Sequence, residues 1–197
     1  MTQNSTVVRG TGLHSGLPST LRILRREGIG KPRFFWLHRS DSLTSSDLAG
    51  LSRSALRSTI LESGELKIRT AEHLLAAALF FSNCPLDIHC DANEPPGLDG
   101  SAIPFFHAFA ELFPEKSEDP SWREYPSNLR FEHEGPEGFL RTEPADFFSV
   151  EYDLDRPPLR QNFHLENPRI AVSEILPART FIFSNEWDGA RKQGLLK

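Results

Sequence analysis

Cysteine is scarce in this chain of 197 residues. Cys84 and Cys90 are separated by a spacing that matches no zinc knuckle, so buried or semi-buried thiols in a reducing compartment are expected. Methionine occurs once and tyrosine twice, whereas phenylalanine occurs 15 times, so phenylalanine is the aromatic that can build a core. Long apolar runs are also missing. The longest, Leu74–Phe81, falls far short of the roughly 20 residues that span a bilayer. Met1–Ser5 is polar and carries no apolar signal segment, so a cytoplasmic address is expected. Positive charge is not in excess. The net charge of −5 argues against a nucleic-acid partner. One stretch runs the other way: Arg22, Arg25, Arg26, Lys31 and Arg33 form either a solvated hairpin or a patch for an anionic ligand.

What is present suits a soluble globular protein of one large or two small domains. Thr6–Val8, Thr20–Leu24 and Phe34–Leu37 read as strands, the last two joined by a turn holding Gly28, Gly30 and Pro32. Ser40–Ser54 reads as irregular, and Glu65–Arg69 as a short strand. A helix is expected from Thr70, with Thr70 as N-cap and Glu72 at the second position, ending near Asn83 and Pro85. Its apolar residues run almost all round, which predicts burial. Leu86–Cys90 reads as a strand, and Asn93–Gly100 as a loop. A second helix, Ala102–Phe113, is expected with Ser101 as cap and Pro104 in its first turn. Pro114–Pro126 is charged and proline-rich, which marks a domain boundary. Beyond it, Asn128–Glu132, Gly138–Thr142, Phe147–Leu154 and Thr180–Phe183 read as strands. Pro157–Pro168 reads as a connection, and Glu186–Leu195 as a short helix. The expected division is 1–125 and 126–197.

The chemistry-bearing residues start at Glu72-His73. A histidine at a helix N-terminus is disfavoured as a cation by the helix dipole, so it stays neutral and free to bind a metal. A neighbouring carboxylate can take a proton from a nucleophilic water. The pair is also consistent with a plain capped helix whose glutamate complements the dipole. The segment Glu94-Pro95-Pro96-Gly97-Leu98-Asp99-Gly100-Ser101 reads as a punctuated strand-to-helix loop. Ala178-Arg179-Thr180-Phe181 offers donors for an anion or an oxyanion, or forms a surface turn.

In order along the chain, Gly10-Thr11-Gly12-Leu13-His14-Ser15-Gly16, Thr70–Ala77, Leu98–Phe105, Ala178–Phe181 and Gly194-Leu195 resemble successive signatures of the UDP-3-O-acyl-N-acetylglucosamine deacetylase (LpxC) family, over nearly the whole chain. The resemblance implies an α+β fold of ribosomal-protein-S5-like, two-layer sheet/helix domains, here a first domain followed by an incomplete second copy. It implies a zinc amidohydrolase of lipid A synthesis acting on UDP-3-O-acyl-N-acetylglucosamine. Glu72 would be the general base, His73 a zinc ligand, and Thr180 an oxyanion stabiliser. Phe181 would line the substrate site, His14 would stand at the cleft's edge, and Asp99 would support the loop.

The chain departs from the family pattern at the other two zinc ligands, a His-x-x-x-Asp pair. His14, His38, His73, His89, His107, His133 and His164 are all its histidines, and none has Asp four residues later. A catalytic zinc takes about three protein ligands, so the zinc site is expected to be incomplete. On the family's pattern the chain stops inside an insert of the second domain. The expectation is a C-terminally truncated enzyme, inactive alone. The alternatives are half of a split enzyme completed by another chain, or a non-catalytic remnant that binds a nucleotide-sugar or a protein. Leu17-Pro18 also stands where the family often has a lysine.

Overall fold

A computed structural model describes residues 4–37, 42–44, 52–55, 58–63, 66–116, 130–135, 138–147, 149–166 and 171–192. The chain forms two compact units, one of Met1–Ser121 with Val172–Lys197, the other of Trp122–Ala171. No helix of the described residues is long and apolar enough to cross a membrane.

The first unit is built on a five-stranded sheet. Its strands are β1 (Ser5–Thr11), β2 (Pro18–Arg25), β3 (Arg33–Trp36), β4 (Ser42–Thr44) and, after the first helix, β8 (Leu86–Cys90). The order is β1-β2-β8-β3-β4. β2 and β3 are therefore not a hairpin: β8 lies between them, antiparallel to β2 and parallel to β3. The basic cluster has a matching role. Arg26 and Arg33, near the ends of β2 and β3, converge on Asp87 of β8 at 2.8 and 2.6 Å. Arg25 lies over the Phe113 ring and donates to the Leu112 carbonyl. A smaller sheet of β5 (Ser52–Ala55), β6 (Ser58–Ser63) and β7 (Leu66–Ile68) runs antiparallel throughout.

Alternation along β2, β3 and β8 turns Leu21, Ile23, Phe34, Trp36, Leu86 and Ile88 inward, all fully buried. Two helices cover that core. α1 spans Glu72–Leu79 and α2 spans Ile103–Leu112. Phe81, just past α1, stands against Phe106 and Phe109 of α2 with ring centroids 5.4 Å apart in each pair. Each such buried ring contributes about 1.5–3 kcal/mol through lost apolar surface.

Neither expected side-chain cap forms. The N-cap positions are Ala71 and Ala102, with no side-chain capping bond. Thr70 is instead turned into the left-handed region, at φ 54°. Ser101 gives its hydroxyl to Asp99 Oδ1 at 2.7 Å. The free N–H groups opening α2 are met by tertiary structure: Ala102 and Ile103 both donate to the Leu176 carbonyl at 3.0 Å. Leu176 follows α3 (Ala171–Glu174) and is buried. The segment Thr180–Phe183, expected as a strand, pairs with no strand among the described residues; it leads to a 3₁₀ turn at Ser184–Glu186 and to α4 (Trp187–Lys192). Gly194-Leu195 lies outside the described residues.

Among its described residues the second unit holds two antiparallel hairpins. One joins β9 (Phe131–Gly135) to β10 (Gly138–Thr142). The other joins β11 (Val150–Arg156) to β12 (Leu159–Leu165). Within the expected connection over Pro157–Pro168, Leu159–Leu165 is strand, because Pro157 and Pro158 occupy only the turn between Arg156 and Leu159. Phe131, Phe139, Leu140 and Tyr152 are exposed on these hairpins. The chain is α+β, with its helices and larger sheet in the first unit.

Candidate active site

Glu72 is the first residue of α1 and His73 the second. The negative carboxylate there suits the positive end of the helix dipole. Its Oε2 accepts the backbone N–H of Thr59, on β6, at 3.0 Å. That bond fixes the carboxylate against the small sheet. His73 is half-buried, and burial pushes its pKa below the ordinary histidine value, with the Glu72 and Asp99 charges acting against it. The imidazole is therefore neutral near pH 7, the state in which it can bind a metal or accept a proton.

Asp99 reaches this site from the loop before α2. Its Oδ1 accepts the Ser101 hydroxyl at 2.7 Å and the Ser101 N–H at 3.1 Å. The Ser101 hydroxyl bond is the main reason its pKa lies below the usual carboxylate range, with the Arg179 charge adding to it. Arg179 stands 3.4 Å from Oδ2, in an exposed pair. Such a pair contributes about 0–1 kcal/mol, so it orients the loop more than it stabilises it.

Thr180 is held by the same loop. Its N–H donates to the Gly100 carbonyl at 2.9 Å. Gly100 has φ +81°, and a side chain there would meet the Thr180 methyl at 3.7 Å. With the backbone N–H so committed, the exposed hydroxyl is the polar group Thr180 presents. Phe181 is 52% exposed and packs edge-on against Phe183, with centroids 5.4 Å apart. The structure thus places the Asp99 charge within reach of His73, and joins Asp99-Gly100 to Arg179-Thr180 by direct bonds.

His14 lies elsewhere in the network. Its N–H donates to Glu94 Oε1 at 2.9 Å, while its Nε2 is buried with no hydrogen-bond partner. Ser15 N–H donates to Glu94 Oε2 at 2.9 Å. Glu94 is only 4% exposed. Burial pushes its pKa up, but the His14 and Ser15 N–H groups and the Ser15 and Thr70 hydroxyls outweigh it and hold the carboxyl below the ordinary value. The Thr70 hydroxyl is buried beside it without a fully aligned hydrogen bond. Glu94 was not a sequence candidate. The available signal was an acidic residue directly before two prolines in a loop between two buried elements.

The described residues do not by themselves fit a catalytic zinc. Among them no group of three or more His, Cys, Asp or Glu is placed to hold a metal ion. His73 is one suitable donor where about three are needed.

Comparison with known proteins adds the family. Residues 2–197 match the family model described as UDP-3-O-acyl N-acetylglycosamine deacetylase. A UDP-3-O-acyl-N-acetylglucosamine deacetylase of Trichormus variabilis is 32% identical over 95% of this chain and 70% of its own length. One of Synechocystis is 32% identical over 96% of this chain and 71% of its own. A bifunctional LpxC/FabZ enzyme of Chlorobaculum tepidum is 28% identical over 99% of this chain but 43% of its own length. By these matches the chain belongs to the UDP-3-O-acyl N-acetylglycosamine deacetylase (LpxC) family.

Proposed function

We propose that the chain carries the first-domain part of a zinc-dependent deacetylase site acting on UDP-3-O-acyl-N-acetylglucosamine in lipid A synthesis, in the cytoplasm. The observation that carries this reading is the opening of α1. A carboxylate fixed by Thr59 stands beside an imidazole that burial keeps neutral, in a chain of this family.

In this reading Glu72 takes the proton from the water that attacks the N-acetyl carbonyl. Its bond from Thr59 orients one oxygen and leaves the carboxylate a directed base. The Thr180 hydroxyl donates to the oxyanion that forms, held in place by its backbone bond to Gly100. Phe181 offers an apolar ring to the substrate. His73 would be one zinc ligand. When bound, the metal supplies Lewis acidity; its other ligands would come from outside the described residues. By the resemblance, residues 126–197 would correspond to part of a second α+β domain, although Val172–Lys197 group with the first unit.

The test is deacetylation of UDP-3-O-acyl-N-acetylglucosamine with zinc supplied, together with the zinc content of the purified chain. Once the missing zinc ligands are supplied, by a longer chain or a complementing one, Glu72→Gln should lower kcat by about 10²–10⁴ while substrate binding persists. Unchanged turnover in that variant would remove Glu72 from the mechanism. The chain alone should hold well under one zinc per molecule. Stoichiometric zinc with full turnover would show that the site is complete without further ligands.

A further inference from the structure

We propose that Glu94 is a positioning residue for the Glu72-His73 pair, acting through Thr70. This rests on the reading that those two residues carry the chemistry.

The carboxylate sits at the meeting point of three segments. Its two oxygens each take a backbone N–H of the loop between β1 and β2, from His14 and Ser15, at 2.9 Å. On another side it faces the buried hydroxyl of Thr70, two residues before Glu72. Its own carbonyl accepts the Ser19 hydroxyl of β2 at 2.7 Å. The neighbouring Asn93 carbonyl takes the N–H of Arg69, just before Thr70, at 2.9 Å. The loop 93–97 therefore holds the chain entering α1 by a backbone bond at Arg69 and lies against the buried Thr70 hydroxyl that follows.

Two further features show that this arrangement is imposed rather than incidental. Thr70 has φ 54°, a conformation that a β-branched residue adopts only when its surroundings over-determine it. Gly12 has no room for a side chain: a Cβ there would lie 2.4 Å from Glu94 Oε2 and 2.3 Å from the Ser15 hydroxyl. The glycine of the first loop thus admits the carboxylate, the carboxylate faces Thr70, and the strained Thr70 sets the direction in which α1 begins. Glu94 itself is an unsuitable base for substrate. It is 4% exposed, and both of its oxygens are occupied.

The experiment compares the full chain with Glu94→Gln, Thr70→Val and Thr70→Ser by heteronuclear NMR, with thermal unfolding in parallel. Glu94→Gln should shift the His14 and Ser15 amide signals and also the Glu72 and His73 amides and the His73 imidazole Hε1. Thr70→Val should reproduce the shifts at Glu72 and His73, and Thr70→Ser, which keeps the hydroxyl, should restore them. His133 in the other unit should not move. Loss of stability alone lowers the unfolding midpoint but leaves native-state shifts in place, so it cannot mimic this pattern. Unmoved Glu72 and His73 signals in the valine variant overturn the proposal, including where Glu94→Gln fails to fold. Because no readout here is turnover, unchanged turnover in Glu72→Gln would count against the catalytic reading alone.

Discussion

A buried carboxylate is costly unless its oxygens are satisfied, and at Glu94 both take backbone N–H groups. Its folded pKa lies below the unfolded value. Its contribution to stability is therefore present above the ordinary carboxylate range and is lost as pH falls through the depressed folded value. Urea unfolding from about pH 7 to about pH 3 should show wild type losing more stability than Glu94→Gln. Near pH 7 that variant should be less stable by about 1–3 kcal/mol, because an amide nitrogen cannot accept the N–H it replaces an oxygen for. Parallel pH curves for the two proteins would remove this linkage. Gly12 depends on the same carboxylate. Gly12→Ala places a methyl 2.4 Å from Oε2, and the side chain cannot swing away without breaking both N–H bonds. A destabilisation of about 1–3 kcal/mol is expected, measured as a lowered urea midpoint with an unchanged slope. Little of this was legible beforehand, because a buried acid shows in sequence only when its partners are known to be near.

Among the elements, what was legible was period and punctuation; partner choice was not. Alternation located the strand Leu86–Cys90, and its structural bounds are the same. The turn residues Gly28, Gly30 and Pro32 suggested that β2 and β3 pair, yet β8, some 50 residues later by number, lies between them. The sequence sign of that insertion is Asp87, which faces both Arg26 and Arg33. Ion pairs between distant residues cannot be read from local pattern. The helix caps failed for a related reason. Thr70 and Ser101 are good N-cap types, but the Leu176 carbonyl meets the α2 opening and frees Ser101 for Asp99. In the same way Thr180–Phe183 has strand-forming residues but finds no ladder partner among the described residues, and the Thr180 N–H binds Gly100. The aromatic core was legible from composition and holds the helices together. Phe109 is fully buried and packs against Phe81. Phe109→Ala should cost about 3–5 kcal/mol in denaturant unfolding. A loss under 1 kcal/mol would mean that α2 is not held through this ring.

At the scale of the molecule, the first unit is discontinuous in sequence. It takes Met1–Ser121 and returns at Val172, with Trp122–Ala171 forming the other unit. The returning segment contributes more than length. Leu176 is buried, and its carbonyl takes two N–H groups at the start of α2. Thr180 bonds to Gly100, and Arg179 pairs with Asp99. The five ordered motifs pointed to the family from sequence alone, but they did not show that the fourth is fastened to the third. Without residues 172–192, the first two N–H groups opening α2 lose their acceptor and the Leu176 site loses its side chain. Water can meet the exposed N–H groups, so the apolar loss should dominate. A fragment of residues 1–121 should therefore be less stable than the whole chain by about 2–5 kcal/mol. Adding a peptide of residues 172–192 in trans should restore part of the difference, in proportion to its concentration. A Leu176→Ala peptide should restore less, because the carbonyl remains while the buried side chain is gone. Urea midpoints of the fragment with and without each peptide measure this directly. If the fragment is already as stable as the whole chain, the return segment is a passenger on the first unit. Thr180 would then be positioned by the Gly100 bond alone, with no help from the packing of Leu176.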